Sequence, residues 1–180
     1  MRLADLLHVL RAAADISGEK SFVVVGSQAL LLAIERPDHR LTLSDELDLY
    51  PALAPEKADD IDGAIGALSL FHDTHGYHAD GVGPETAVMP EDWMDRANMH
   101  YFGELTAICP ELHDLCVAKC VAGRDKDAEF VRILLEDKHI VLSTLLARIR
   151  QLDGEKYPVQ TIVEWAQRRA AQAPSVSDTP

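Results

Sequence analysis

Hydrophobic residues in the first part of the chain switch between helical and strand spacing. Leucines recur at three- and four-residue intervals through residues 2–15, which predicts an amphipathic helix. A β-branched and aromatic run at 21–25 predicts a buried strand. After Gly26-Ser27, an alanine- and leucine-rich stretch at 28–34 predicts a second helix. The pattern therefore places a Gly-Ser turn between a strand and a helix.

The segment 41–50 alternates with a period of two. Its leucines, Leu43 among them, occupy odd positions, whereas Glu46 and Asp48 occupy even positions. Because successive side chains of a strand point to opposite faces, we expect the leucines in the core. The two carboxylates should then lie side by side on the other face.

The rest of the chain divides into a mixed part and a helical part. Helical spacing returns at 56–71, and short hydrophobic runs predict strands at 77–82, 86–89 and 105–108. Beyond residue 110 the spacing predicts only helices, at 111–122, 126–137, 139–152 and 158–172. We therefore expect an α/β (α+β) core at 1–109, a helical part at 110–172 and a flexible tail at 173–180.

Composition and charge exclude several classes of protein. Of the 180 residues, 47% are hydrophobic, which suffices for a packed core. The net charge of −13 at pH 7 argues against loose, charge-driven binding to DNA or to an anionic membrane. The sequence has no apolar run of about 18 residues and no secretory leader, which predicts a cytoplasmic protein.

Two groups of metal-ligand residue types are better explained without a metal. Cys109, His113, Cys116 and Cys120 would extend over about 16 Å along one helix, too far for one zinc ion. Cys116 and Cys120 are therefore expected to be buried packing residues. The residues 72–75, which include two histidines, are interpreted as a polar loop rather than a metal site.

The strand carboxylates and the Gly-Ser turn together suggest a site for a metal-bound nucleotide. Rigidly held carboxylates such as Glu46 and Asp48 suit Mg²⁺, which prefers oxygen ligands. Backbone N–H groups at Gly26 and the hydroxyl of Ser27 suit a phosphate. The alternative for Glu46 and Asp48 is an ordinary solvated strand face.

These residues resemble the signature of the nucleotidyltransferase superfamily, which is related to DNA polymerase β. That signature is a hydrophobic residue, Gly and Gly or Ser, a helix, and then Asp-h-[Asp/Glu]-h on the next strand. Here Glu46 stands where the family usually has Asp. The resemblance implies a mixed sheet of four or five strands flanked by helices. It also implies a third carboxylate on a later strand, for which Asp80 is the candidate; the alternative is a turn residue.

A second block resembles small bacterial nucleotidyltransferase-like proteins, some of them uncharacterised. The segment 112–127 is similar to their Leu-x-Asp-Leu-x-x-x-Lys…Ala-x-Arg-x-Lys-Asp pattern, and the layout is similar to that of AbiEii-type toxins. The resemblance implies that Lys119, Arg124 and Lys126 offset the charge of a triphosphate. The alternative is that Lys119 and Arg124 are surface charges near a helix end.

The implied activity is transfer of a nucleotidyl group from a nucleoside triphosphate (NTP) to an unidentified hydroxyl, with pyrophosphate leaving. Glu46, Asp48 and Asp80 would hold Mg²⁺ or Mn²⁺, and Asp80 could instead take the proton of the nucleophile. By family analogy the acceptor is a protein or tRNA, in a toxin–antitoxin or phage-defence setting. A homodimer is left open. The alternative function is a catalytically silent nucleotide-binding or protein-interaction module of the same fold.

Overall fold

The structure is a computed structural model and describes residues 1–172. The tail expected at 173–180 lies outside the described residues. The chain forms two compact units: one comprises Met1–Ala87 and Met94–Glu111, and the other comprises Val88–Trp93 and the chain from Leu112 onward. Across residues 1–172, every helix is too short or too polar to cross a membrane.

The first unit is built on a five-stranded mixed sheet. Its strands are β1 (Ser21–Val24), β2 (Glu46–Pro51), β3 (His78–Gly81), β4 (Asn98–Phe102) and β5 (Leu105–Cys109), in the order β3-β2-β1-β5-β4. The pairs β1–β5 and β2–β3 are parallel, and the pairs β1–β2 and β4–β5 are antiparallel. The mixed α/β fold class expected from the sequence is confirmed.

Four helices of the first unit accompany this sheet. They are α1 (Leu3–Ser17), α2 (Leu30–Ala33), α3 (Ala58–Ile65) and α4 (Leu70–His75). Helix α1 buries Leu6, Val9 and Leu10 at helical spacing, as its sequence predicts. It ends at Gly18, whose left-handed backbone lets its N–H bond the carbonyl of Ala14.

The second unit is helical. Its helices are α5 (Leu112–Ala122), α6 (Asp125–Glu136), α7 (Leu142–Ile149) and α8 (Val159–Gln172). Each helix lies within a few residues of its predicted position. Its fully buried residues are apolar except for Asp114 and Asp127, and the apolar ones are Leu115, Cys116, Val117, Val131, Ile133, Leu134, Leu145, Ile149 and Ala166. The expectation that Cys116 and Cys120 are buried is confirmed.

Several local predictions are wrong. The helix expected over 56–71 is two helices, because the chain leaves helical geometry at Gly66 and Leu68 adopts a positive φ of 63°. The strand expected at 86–89 is absent from the described residues, and a 3₁₀ turn at Pro84–Thr86 begins that region. Leu43 is 76% exposed, because β2 begins only at Glu46 and a 3₁₀ turn precedes it.

Candidate functional site

The first three candidate residues lie on two neighbouring strands of the first unit. Along β2, Leu47 and Leu49 are fully buried, while Glu46 and Asp48, which alternate with them, are only half-buried. In the parallel pair of β2 and β3, Asp48 is directly opposite Asp80. Residues in register on neighbouring strands point to the same face. The three carboxylates Glu46, Asp48 and Asp80 therefore share one face of the sheet.

The electrostatics of this face centre on Asp80. Burial raises the pKa of the Asp80 carboxyl, and the negative charges of Glu46 and Asp62 raise it further. His78 and a hydrogen bond with Asp48 act in the opposite direction and offset only part of the shift. The face thus concentrates negative charge at oxygen donors, and a divalent cation would relieve that repulsion.

Gly26 joins the turn to the carboxylates. Its backbone has a φ of +68°, and a Cβ atom built there would lie 1.6 Å from Oδ2 of Asp48. The N–H of Val25, the preceding residue, donates to the backbone carbonyl of Asp48 at 3.0 Å. Only glycine satisfies both the backbone conformation and the close approach of the carboxylate. The Gly26-Ser27 turn and the strand that carries Asp48, the two parts of the sequence signature, therefore lie next to each other.

Ser27 begins a 3₁₀ turn, Ser27–Ala29, which leads into the four residues of α2. The helix predicted at 28–34 is therefore shorter than expected, with a weaker dipole for any phosphate.

Gln28, in the same turn, was not singled out from the sequence. Its side chain is completely buried, and neither amide atom has a hydrogen-bond partner within residues 1–172. No sequence signal distinguishes it from an ordinary polar residue that opens a helix.

Asp62 is a second neighbour that sequence reasoning missed. It is exposed on α3, yet its charge raises the pKa of Asp80. The position of Asp62 near the sheet depends on Gly81. A Cβ atom at Gly81 would come within 2.1 Å of the Ala58 carbonyl and 3.0 Å of the Asp62 Cβ. The absence of a side chain at Gly81 lets α3 approach the end of β3 closely.

The remaining three candidates, Lys119, Arg124 and Lys126, belong to the second unit. Lys119 is buried, with its Nζ 3.6 Å from Oδ1 of Asp127 and 5.3 Å from the centre of the Phe130 ring. Arg124 Nε donates to Oδ2 of Asp127 at 2.6 Å. Lys126 is exposed. Within this unit, Lys119 and Arg124 thus have an acidic partner of their own.

Asp127 is 1% exposed and is the centre of that cluster. Burial acts to raise the pKa of its carboxyl, but the hydrogen bonds from Arg124 and the charge of Lys119 more than offset burial and hold the pKa below its usual value. The presence of Asp127 in the Lys126-Asp127 pair is therefore explained by its interactions within this unit. The phosphate-binding role implied for Lys119, Arg124 and Lys126 stays a prediction.

Comparison with known proteins identifies the family. A family model described as "Nucleotidyltransferase of unknown function (DUF6036)" matches residues 2–165. No curated protein and no solved structure matches the chain. The similarity of layout to AbiEii-type toxins is not confirmed by this match. Since the matched region spans nearly the whole chain, this protein belongs to that family of nucleotidyltransferases of unknown function.

Proposed function

We propose that the face of Glu46, Asp48 and Asp80 is the active site of a metal-dependent nucleotidyltransferase. The reaction transfers a nucleotidyl group from an NTP to a hydroxyl of a protein or tRNA acceptor. The observation that carries the proposal is the position of Asp48, which is opposite Asp80 in the sheet and against Gly26. The family assignment supports the class of reaction, and the acceptor is inferred from the sequence resemblance.

The donor set fits a hard divalent cation. Glu46, Asp48 and Asp80 offer only carboxylate oxygens, the ligand type that suits Mg²⁺ and Mn²⁺. Burial is the main cause of the raised pKa of Asp80, and the charges of Glu46 and Asp62 add a repulsion that a cation would reduce. When bound, such an ion supplies charge that stabilises the reacting phosphate oxygens. These three residues would hold it.

Residues of the chain itself would bind the phosphates and accept the proton. The N–H groups after Gly26 and the hydroxyl of Ser27 would bind the β- and γ-phosphates. The acceptor oxygen forms a bond to the α-phosphorus, the bond to pyrophosphate breaks, and Asp80 takes the proton of the acceptor hydroxyl if Glu46 and Asp48 alone hold the cation. A carboxylate whose pKa is raised is a better proton acceptor than an ordinary one.

Beyond this site, we propose that 1–109 and 110–172 act as two domains of a cytoplasmic enzyme. Lys119, Arg124 and Lys126 would offset triphosphate charge. A toxin–antitoxin or defence role follows from the resemblance alone. Arg124 is the most direct probe of this part, because its side chain is about half exposed although it pairs with Asp127.

The test measures binding and turnover separately. Purified protein is titrated with Mg·ATP and Mg·GTP, and incubated with α-labelled NTPs while pyrophosphate release and self-labelling are followed. Asp48→Asn is expected to lose binding and turnover, whereas Asp60→Asn, on the exposed side of α3, should behave like wild type. Equal binding by wild type and Asp48→Asn, or binding by neither, would remove the proposal.

The second candidate is a catalytically silent module of the same fold. Glu46 favours it, because a side chain one methylene longer than Asp shifts a ligand of a site that tolerates little displacement. This candidate predicts metal-dependent NTP binding without pyrophosphate release. Pyrophosphate release by the wild-type protein therefore distinguishes the two. If the position of the longer Glu46 side chain alone limits the reaction, Glu46→Asp should raise turnover.

A further inference from the structure

A second group of metal-ligand side chains lies in the first unit, outside the three carboxylates. Asp45 immediately precedes β2, His72 lies on α4, and His78 begins β3. One potential ligand atom from each lies within 4.8 Å of the other two. The loop interpretation of 72–75 is therefore wrong: these residues belong to α4, which brings His72 close to Asp45 and His78.

One distance between these groups already matches that between the ligands of a coordinated metal. His72 Nε2 is 3.4 Å from Oδ2 of Asp45. A tetrahedral zinc site with bonds of about 2.0–2.1 Å places its ligand atoms about 3.3 Å apart. The rings of His72 and His78 have centroids 4.4 Å apart. To bind one ion, the three ligand atoms would have to close in by at most about 1.5 Å.

His78 supplies an independent observation. Its side chain is more than nine-tenths buried, and its Nδ1 is a buried nitrogen to which no group in residues 1–172 is hydrogen-bonded. Buried polar atoms are nearly always paired, so a ring nitrogen without a protein partner indicates a ligand from outside the chain. His78 is also the register partner of Glu46, which places the cluster beside the carboxylate face.

We propose that Asp45, His72 and His78 bind a borderline divalent transition metal of the zinc class. Two imidazoles and one carboxylate suit Zn²⁺, Co²⁺ or Ni²⁺, whereas Mg²⁺ prefers oxygen ligands alone. Three protein ligands leave a fourth position for water. The ion connects α4 to β2 and β3, and it is distinct from the Mg²⁺ of the proposed reaction.

Binding has one structural consequence in the loop before α4. The N–H of Leu68 donates to His72 Nδ1 at 3.2 Å, so Nδ1 is the acceptor nitrogen in this structure. Coordination through Nε2 moves the ring proton to Nδ1 and breaks that hydrogen bond. Leu68 is 89% exposed, so its N–H can turn to water. Hydrogen exchange at Leu68 should therefore become faster when the metal binds.

The test uses Co²⁺, whose visible absorption reports tetrahedral coordination, added to the full-length protein in excess Mg²⁺ and without nucleotide. Wild type should bind one Co²⁺ with a visible band. Asp45→Asn should weaken its affinity at least about tenfold, and His72→Asn should abolish the band. Asp73→Asn makes the same charge change at an exposed neighbour and should leave the titration unchanged.

The outcomes separate this site from the proposed reaction. Asp48→Asn should keep the Co²⁺ band even where it loses NTP binding, and the band should form whether or not the protein turns over nucleotides. Absence of a band in wild type would overturn the proposal, as would an unchanged band in Asp45→Asn and His72→Asn. A band lost in Asp48→Asn but kept in Asp45→Asn would overturn it too, by locating the ion at the carboxylates. Asp45 is exposed, so its variant tests the site without a risk to folding.

Discussion

At the scale of single residues, Gly26 has both a left-handed backbone and a close neighbour in Asp48, and mutation can separate the effects of the two. Gly26→Ala places a methyl group 1.6 Å from Asp48 Oδ2 and also strains a left-handed backbone position. Gly18→Ala imposes a similar backbone strain, since its φ is +72°, but meets nothing within 4 Å. We expect Gly18→Ala to cost about 1–2 kcal/mol of unfolding free energy. Gly26→Ala should cost more and should also abolish metal-dependent nucleotide binding.

Urea denaturation and nucleotide titration of the two variants measure this difference. Equal loss of stability in both variants, with nucleotide binding intact in Gly26→Ala, would show that Asp48 readily moves away and that the close approach has no role in the site.

The ionisation of Asp80 should make the stability of the protein depend on pH. Because its pKa in the folded protein is raised, the native state holds more protons than the unfolded chain between the unfolded value, about 3.9, and the raised value. Stability should fall as the pH rises through that window. Asp80→Asn removes this effect, so the stability advantage of the variant over wild type should grow with pH across the window and then remain constant.

Chemical denaturation of wild type, Asp80→Asn and Asp60→Asn between pH 4 and about 7 tests the sign. Mg²⁺ should reduce the advantage of Asp80→Asn, because the cation relieves the same repulsion in wild type. Parallel stability profiles for wild type and Asp80→Asn would contradict the electrostatic account of the site.

At the scale of elements, short-range patterns predicted well what depends on short-range geometry. The period-two alternation around Glu46 and Asp48 predicted both the strand and the shared face, because side-chain direction in a strand is local. Strand β4 was missed: it lies at the sheet edge, and Met99 and Tyr101 are exposed, so it shows no buried alternation. The end of α3 near Gly66 was equally hidden in a continuous helical period.

The site was predictable only as far as each segment could be interpreted alone. Asp80 was a candidate by analogy, but its position opposite Asp48 depends on the parallel register of β2 and β3, which no local pattern encodes. The group of Asp45, His72 and His78 combines residues from three different segments, namely the chain before β2, helix α4 and strand β3. Such a group becomes visible only when the tertiary structure is known.

In the helical unit, the junction of α5 and α6 depends on Asp127. Asp127→Asn removes a carboxylate charge that lies beside the buried Lys119 and pairs with Arg124. Loss of one member of a buried ion pair typically costs about 3–5 kcal/mol; since Arg124 is about half exposed, we expect about 3 kcal/mol here. Asp125→Asn, exposed in the same helical turn, should cost less than about 1 kcal/mol.

Thermal and urea unfolding compare these two variants. Because the pKa of Asp127 is lowered, its contribution should be fully present above about pH 3.9 and lost as the pH falls through the lowered value. Asp127→Asn should therefore lose its disadvantage only in strong acid. Equal stability of Asp127→Asn and Asp125→Asn at neutral pH would contradict the structural role.

At the scale of the whole molecule, the net charge of −13 limits how any nucleic-acid acceptor can be recognised. Binding to a phosphate backbone gains affinity by releasing counterions around Lys and Arg, and this chain has 30 acidic against 17 basic residues. We therefore expect no binding of labelled duplex DNA or tRNA in fluorescence anisotropy at low salt when divalent ions and NTP are absent.

Adding Mg²⁺ and NTP separates the candidate acceptors. If the acceptor is a tRNA, binding should appear only with the loaded site, should require Asp48, and should depend weakly on salt, because a localised contact releases few counterions. If the acceptor is a protein, tRNA should remain unbound under every condition. Strong tRNA or duplex binding by the bare protein, with affinity falling steeply as salt increases, would instead indicate a basic surface patch strong enough to overcome the overall charge. The acidic composition would then no longer exclude nonspecific binding.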